Sequence, residues 1–594
     1  MPAAPVAQAA PQPMQRILLV VNGSYSANPF GAYLGEILRA EGLNAYDVVQ
    51  LSALTAGDLS SHAVTILAET TLTSGQAALF NNHVNGGGRL IAMRPDAQIK
   101  ALFGLGTAAG TQIDGYLKFE SASATSGLTT NFMQIHGTTD RHSLLSGATM
   151  LARLYSNKST STVYPAVSLS ADGRAAAFTY DLARNVAYTR QGNPANANKI
   201  YGHTGIADQN GVFGTWDIAN PPVTRTISLF MQSNTVTADQ WIDRDLIPVP
   251  QADEQQRLLA RLVQQLQNNA APLPQLWYFP GTTKTMLILT GDAHGNPTSY
   301  YQDEINALNA RGAKMSFYIS QAGQPSSAEI QAWEAQGHKF GLHPYWYKQD
   351  QNIANLEQGY ASLNAWYAAT MSTSKARTTR NHQVAWKGWT EAAELAASYG
   401  IALDTNFYHW GPWLQKPDGT WPHGHLTGSG QPMKFVKTDG TILPIYQQNT
   451  QLVDEQLLGA INSGGFNGWE GLNSQQAVNV SKQLMDASQA GDYAALMTQF
   501  HVDYFNYGEV KDWANGTVDY ANSLSIPVWS ADQWLNFTET RHDANYSNLQ
   551  WDNATNTLSF SLSAAATAGV NLTTLLPANF SNLGLQSVSV DGNA

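Results

Sequence analysis

The stretch Leu287-Ile288-Leu289-Thr290-Gly291-Asp292-Ala293-His294-Gly295 decides how the rest of the chain is read. An apolar run of strand type ends abruptly in a carboxylate and an imidazole, two residues apart, beside a glycine. Strand ends in α/β folds collect ligands, because side chains there point into the crevice above the sheet. An Asp and a His placed together at such a point indicate metal or acid–base chemistry. The same pair could equally be a hydrogen-bonded turn, and only partners further down the chain separate the two readings.

Further βα units surround this run. A helix with Ile305 and Leu308 inward comes next, then strand Lys314–Ile319, helix Ser327–Gln336 and strand Lys339–Leu342. Helix Thr390–Tyr399, strand Ile401–Asp404 and strand Leu496–Phe500 continue the pattern. Repeated units with polar strand ends predict a distorted (β/α) barrel over 275–540, with its site at the carboxyl ends of the strands.

Upstream, Arg16–Val21, Ala63–Ala68 and Arg89–Met93 are strand runs separated by helical patterns, one carrying Tyr33, Ile37 and Leu38 and one spanning Gly75–Val84. This alternation predicts an N-terminal doubly wound, flavodoxin-like α/β domain over 14–110. Together with its Gly86-Gly87-Gly88 turn it resembles the class I glutamine amidotransferase-like fold. Amidotransfer needs a thiol nucleophile and the chain has no cysteine, which leaves a structural or ligand-binding role. Short strand-like stretches with many turn residues predict a β-rich insertion over 111–253, with Ala175–Tyr180 among them. An amphipathic helix and a linker occupy 254–274, and a small β appendage 541–594. The first 13 residues, Ala/Pro/Gln-rich, read as a disordered leader. The class is thus α/β multidomain with β-rich accessory parts.

Composition narrows the function. Charged residues make up 13% of the 594, against roughly 25% in average proteins. Lys+Arg of 32 against Asp+Glu of 44 gives a net charge of −12 without any basic block, which argues against nucleic acid as a partner. Lack of cysteine excludes disulfides, Cys-ligated zinc and thiol nucleophiles. No run of about 18 apolar residues is present to span a membrane. With 16 Trp and 25 Tyr, the composition suits a sugar-handling protein that is secreted, extracellular or periplasmic.

In chain order the polar strand ends are Asp292/His294, His343, Arg380-Asn381-His382, Asp404 and His501. This order resembles the polysaccharide deacetylases, the NodB-homology carbohydrate esterases, over roughly 280–535, and specifically their divergent members acting on exopolysaccharides. Thr290-Gly291-Asp292-Ala293-His294 stands where that family has T-F-D-D-G. Gly337-His338-Lys339-Phe340-Gly341-Leu342-His343-Pro344-Tyr345-Trp346-Tyr347 stands where it has G-H-E-I-G-x-H-(S/T)-x-x-H. Arg380 matches a motif starting with Arg, and Thr498-Gln499-Phe500-His501 a late strand ending in Leu-x-His.

Two departures matter: the family's metal-binding second Asp is Ala293 here, and its second metal His is Tyr347. His294 and His382 are the replacements at hand, giving a His294/His343/His382 triad for a divalent metal, zinc first. The rival set takes Asp292 itself as a ligand with His294 and His343, and leaves the base unassigned. The resemblance implies an N-acetyl hydrolysis in which Asp292 is the base, Arg380 orients it, and His501 protonates the departing sugar amine. The metal and a backbone N–H would hold the oxyanion.

Tyr345, Trp346, Trp386, Trp389, Trp410, Trp413 and Trp421 crowd the same stretches, as a groove for an N-acetylated polysaccharide would require; core packing would require them too. Asp404 either lines the site or caps a turn. His382 could merely cap the segment after it, and His501 could hydrogen-bond in the core. His409, His423 and His425 lie in a Gly/Pro/Trp loop and read as groove or surface. Three functions outside the N-deacetylase reading stay open. One is an O-acetyl esterase on the same fold, another a decayed site that still binds glycan. The third is a glycoside hydrolase using Asp292 with Asp404.

Overall fold

The computed structural model describes residues 12–13, 16–197, 224–229, 232–237, 241–267, 271–321, 325–345, 353–371, 375–461, 467–567 and 569–591. Its architecture is mixed α/β and multidomain, built on two large sheets.

The first sheet has nine strands in the order 46–50, 17–21, 64–67, 90–93, 175–178, 160–169, 149–157, 105–119 and 133–144. The first five are parallel to one another. Ile17–Val21 is buried along its whole length, as a parallel strand covered on both faces must be. Its side chains alternate: Ile17, Leu19 and Val21 join one core, and Leu18 and Val20 the other. Gly87 takes a φ of +101°, which the turn ahead of strand Leu90–Met93 requires.

The boundary read at 110 falls inside strand Leu105–Phe119. The β-rich stretch is no separate layer: its strands extend the α/β sheet, and Ala175–Phe178 pairs in parallel with Leu90–Met93. That strand is wholly buried, which explains why its sequence carries no alternation to distinguish a parallel strand from an antiparallel one. Gln12 and Pro13, the end of the stretch read as a leader, pair with Trp551 and Gln550.

The second sheet is the barrel. Parallel strands run in the order Ile442–Thr450, Leu403–Tyr408, Thr378–Thr379, Lys339–Leu342, Ser316–Ile319, Met286–Ala293, Ala495–Gln499 and Leu452–Val453. The ring closes because one continuous segment serves both ends. Residues 442–450 pair with Leu403–Tyr408, while Leu452 and Val453 pair with Thr498 and Gln499. Met433–Val436 adds an antiparallel edge beside Ile442–Thr450. Helix Thr298–Asn309 buries Ile305 and Leu308, as its spacing predicts.

The two sheets share one apolar core. Helix Leu182–Gln191 of the first domain lies against the barrel's antiparallel edge. There the Gln191 amide donates to Val436 O (2.9 Å) and accepts from Val436 N (2.9 Å), so a side chain replaces the missing neighbouring strand. Arg541 donates to the carbonyls of Arg39 (3.0 Å) and Ala40 (2.9 Å), closing the carboxyl end of helix Tyr33–Ala40. Among the described residues, no helix is long and apolar enough to cross a membrane.

Candidate active site

Five strand ends of the barrel converge. Asp292 closes strand Met286–Ala293 and His294 follows it; His343 follows Lys339–Leu342; Arg380 and His382 follow Thr378–Thr379. Asp454 follows Leu452–Val453, and His501 stands just past Ala495–Gln499. Gly291 is dictated by close approach: a Cβ on it would lie 1.8 Å from the carbonyl oxygen of Phe500. That contact lets the strands carrying Asp292 and His501 lie side by side.

His294, His343 and His382 form a cage of imidazoles. Each offers a ring nitrogen, and the three lie within 4.8 Å of one another, the one such group among the described residues. Ring centroids stand 5.2 Å apart for His294–His343 and 5.4 Å for each pair with His382. His343 donates from Nδ1 to the Arg380 carbonyl (2.7 Å), which leaves its buried Nε2 without a partner. An orphaned acceptor in a dry site costs roughly 1–3 kcal/mol unless something fills it. Burial, then the neighbouring His294, holds the His343 pKa well below the usual histidine value. Burial, with His343 and His294 beside it, pushes His382 down to about 2. Both rings are therefore neutral and present lone pairs. Nitrogens bound at ~2.0–2.1 Å to a tetrahedral zinc stand roughly 3.4 Å apart, so small ring rotations would close the cage on an ion. The donor set fits a divalent metal.

Asp292 sits at the edge of the cage, its Oδ2 3.7 Å from His343 Nδ1. Its Oδ1 accepts from Arg380 Nη1 at 3.1 Å. Arg380 is fully buried and every arm is used. Nε donates to Thr405 O (3.2 Å), Nη2 to the hydroxyls of Thr290 (2.9 Å) and Thr450 (3.0 Å), and Nη1 also to Gln499 Oε1. Its planar fork thereby fixes one carboxylate oxygen and leaves the other facing the imidazoles.

His501 is held by Asp454, a residue sequence reasoning missed. Asp454 accepts from the His501 backbone N–H (2.7 Å) and from Nδ1 (2.9 Å), and is itself fully buried. Burial pushes the His501 pKa down, but the carboxylates of Asp454 and Glu455 outweigh it and raise it to about 10. One contact points the other way: Gln499 Nε2 lies 3.2 Å from His501 Nε2, which suits a neutral ring. Two anions in a water-poor site dominate a single long amide contact, so the imidazolium prevails at neutral pH.

Asp503 was also missed. Its Oδ2 accepts from His294 Nδ1 at 2.7 Å, and it belongs to the short helix Val502–Phe505 that His501 caps. A His-x-Asp spacing was the signal available. Burial raises the Asp503 pKa, but the hydrogen bond from His294 and its charge outweigh this and lower it to about 2.

The other sequence-derived candidates separate. Tyr345 is at the site, its ring stacked on His382 (3.7 Å between centroids, 14° between planes). Trp346 lies outside the described residues. Trp386 and Trp389 are not groove residues: they are 1% and 3% exposed. Trp386 packs on Phe407 and Phe435, and Trp389 on Phe30 and Tyr188 of the first domain, which cover the ring faces a sugar would need. Trp410 joins a small apolar cluster with Val384, Tyr408, Val453 and Trp469 next to the His382 turn. Asp404 spends both oxygens on Asn406, whose own oxygen receives the Asn381 N–H (2.7 Å), so Asp404 braces the His382 turn and is no partner for Asp292. His423 bonds Glu470 at 2.8 Å.

No family model matches the sequence, and no curated protein does. Comparison with solved structures finds a putative polysaccharide deacetylase from Mycobacterium smegmatis (12% identity, 45% of this chain and 92% of that one, TM-score 0.33). It also finds a family 4 carbohydrate esterase from Streptomyces lividans in complex with acetate (10%, 41% and 91%, TM-score 0.26). A third is BA3943, a CE4 family pseudoenzyme from Bacillus anthracis (9%, 43% and 66%, TM-score 0.27). At these scores the likenesses carry no weight of their own, and the functional reading rests on the residues of this chain.

Proposed function

We propose that the chain is a metal-dependent carbohydrate deacetylase that hydrolyses N-acetyl groups of an amino-sugar polysaccharide. One observation carries the reading: three imidazoles, His294, His343 and His382, bring a ring nitrogen each within 4.8 Å of the others, beside a carboxylate braced by Arg380 and an imidazole braced by Asp454. Three protein nitrogens with an open fourth position is the usual form of a catalytic zinc site. Asp292 stands beside the cage with its Oδ1 already committed to Arg380, which favours the all-histidine set over the set that includes Asp292.

When bound by the three histidines, a divalent metal such as zinc supplies a Lewis acid and a water of lowered pKa. The chain's own residues do the rest. Arg380 holds Asp292 so that its free Oδ2 faces the cage, where it takes a proton from the attacking water. The C–O bond forms as the carbonyl π bond opens, and the C–N bond breaks as the carbonyl re-forms. His501, kept charged by Asp454 and Glu455, gives a proton to the departing amine, without which the amine is a poor leaving group. Products are acetate and a free amino sugar. Tyr345 walls the cage by stacking on His382.

The test is acetate release by the purified protein from chitin-type N-acetylated oligomers and from O-acetylated xylan, with metal content measured alongside. About one zinc per chain and release from the amide substrate would support the reading. Release from the ester alone would move it to an O-acetyl esterase. No release and no bound metal would move it to a glycan-binding protein.

A further inference from the structure

The three imidazoles are held by three different devices. His343 is fixed by the Arg380 carbonyl (2.7 Å) and by near-complete burial. His382 is fixed by the face of Tyr345. His294 is the more open of the two rings bonded through Nδ1: its side chain is 22% exposed against 1% for His343, so packing holds it less completely. What sets it is the Asp503 carboxylate, 2.7 Å from Nδ1. The His294 backbone N–H is pinned in turn by Asn296 Oδ1 at 2.7 Å.

Resting on the metal-site reading above, we propose that Asp503 is the positioning residue of this centre. It holds His294 with Nδ1–H toward itself and Nε2 toward His343 and His382, and it ties the ring to the proton donor His501. The chemistry is direct. An imidazole that donates to a carboxylate through one nitrogen is a better electron-pair donor through the other, and the ring cannot flip without losing a charge-assisted bond. A dication held by the three rings also gains from an anion one ring away. The tie to His501 runs through the backbone: His501 caps the four-residue helix that carries Asp503, and the His294 and His501 rings lie face to face at 5.8 Å and 20°. Any shift of Asp503 therefore displaces a metal ligand and the proton donor together.

Zinc affinity of the full-length chain, measured by chelator competition, tests this independently of turnover. Asp503→Ala should weaken zinc binding by ~10–100-fold, the usual effect of removing a carboxylate behind a histidine ligand. Asp503→Asn, which keeps an acceptor, should weaken it less and guards against a folding failure in the alanine variant. In a His294→Ala background, Asp503→Ala should add no further loss, because its effect passes through that ring. At saturating zinc, kcat of Asp503→Ala should still be reduced, since the His294 ring has lost the partner that orients it beside His501. Asp47→Ala, at the His62–Asp47 pair (3.2 Å) of the first domain, should change neither readout. If wild type binds zinc and Asp503→Ala binds it within twofold, the inference is overturned while the metal reading stands. If wild type binds no zinc, the metal reading itself falls.

Discussion

The molecule contains two sheets built on parallel strands, and each gathers polar side chains near the carboxyl ends of those strands. In the first domain the group is Asn28, Glu69, Arg94 and Asp181, joined by Asp140 from within the antiparallel strand Met133–Leu144. Arg94 pairs with Glu69 (2.8 Å) and Asp140 (2.9 Å), and the Asn28 amide donates to Glu69 (2.6 Å) and to Asp181. Asp181 also caps helix Leu182–Gln191. The carboxylates there are spent on Arg94 and Asn28, and the one atom of the group left over is a nitrogen that can only donate, Arg94 Nε. In the barrel the braces are equally dense, but they converge on atoms with nothing to bind, above all His343 Nε2. Parallel-sheet architecture puts polar residues at strand ends in both places. A reactive centre differs in leaving a lone pair unspent, and the two crevices of one molecule illustrate the difference.

The largest expected effect tests that contrast. His343→Ala should lose bound zinc and, with it, several kcal/mol of transition-state stabilisation, on the order of 10³-fold or more in kcat/KM. The double variant Glu69→Gln/Asp181→Asn should leave kcat/KM within twofold. Equal losses in the two crevices would mean the first domain takes part in the chemistry, and the comparison would be broken.

Next come the proton-transfer groups. Asp292→Asn and His501→Ala should each cost ~10²–10⁴ in kcat with zinc content unchanged. Zinc lost with Asp292→Asn would restore the arrangement in which Asp292 is a ligand. The pH profile sharpens this further. His501 must be protonated to act and its pKa is raised to about 10, so the alkaline fall in kcat should lie near pH 10. Asp454→Asn removes the nearest anion and leaves burial, which lowers a histidine pKa, so the fall should move to well below that value. An unmoved alkaline limb would remove His501 from the mechanism.

Much of this was legible in the sequence. Strand Lys339–Leu342 lies where its pattern put it, and His294, His343 and His382, read as one set, lie together. Those signals are local: an apolar run and the polar residue that ends it. What was not legible depends on pairing across the fold. Asp454 follows a two-residue strand inside the unbroken run Asn449-Thr450-Gln451-Leu452-Val453, and only barrel closure brings it to His501, 47 positions on. Trp386 and Trp389 were read from aromatic crowding, which is the same for a groove and a core. Their burial depends on the first domain and on Phe407 and Phe435, far away in sequence. The β-rich stretch looked separate because its antiparallel strands differ in texture from the parallel ones they extend.

A further expectation concerns stability. Arg380 pairs with Asp292 in a site closed to solvent, and removing one partner strands the other. Arg380→Met should cost about 3–5 kcal/mol, read as a lower denaturant midpoint. Arg94→Met in the first domain leaves Glu69 facing Asn28 and a partly open crevice; a side chain already 25% exposed should cost less. If the order is reversed, the first crevice is the more tightly closed of the two.

The smallest effect draws on one carboxyl from each crevice. Burial, with Glu69 beside it, raises Asp181 from 3.8 to about 7, and burial raises Asp404 from 3.8 to about 7 against the hydrogen bonds of Asn406. A folded pKa above the unfolded one means that the native state holds the proton more tightly. The contribution is therefore whole below about pH 4 and is lost as pH rises through 7. Every tenfold gain in proton affinity on folding corresponds to about 1.4 kcal/mol, and in a chain this long roughly 1 °C of melting temperature accompanies each kcal/mol. These two carboxyls should therefore add a falling component of a few degrees to the melting temperature between pH 5 and pH 8, set against the rising component from His343 and His382, whose lowered pKa values favour the native state as pH rises. Asp181→Asn, which fixes that group in an uncharged form, should flatten the falling component. Since Asp181 owes part of its raised pKa to Glu69, Glu69→Gln should flatten it too, while leaving the Asp404 share intact. A pH dependence left unchanged by Asp181→Asn would mean that this carboxyl is ionised in the native state and that Asn28 stabilises an anion.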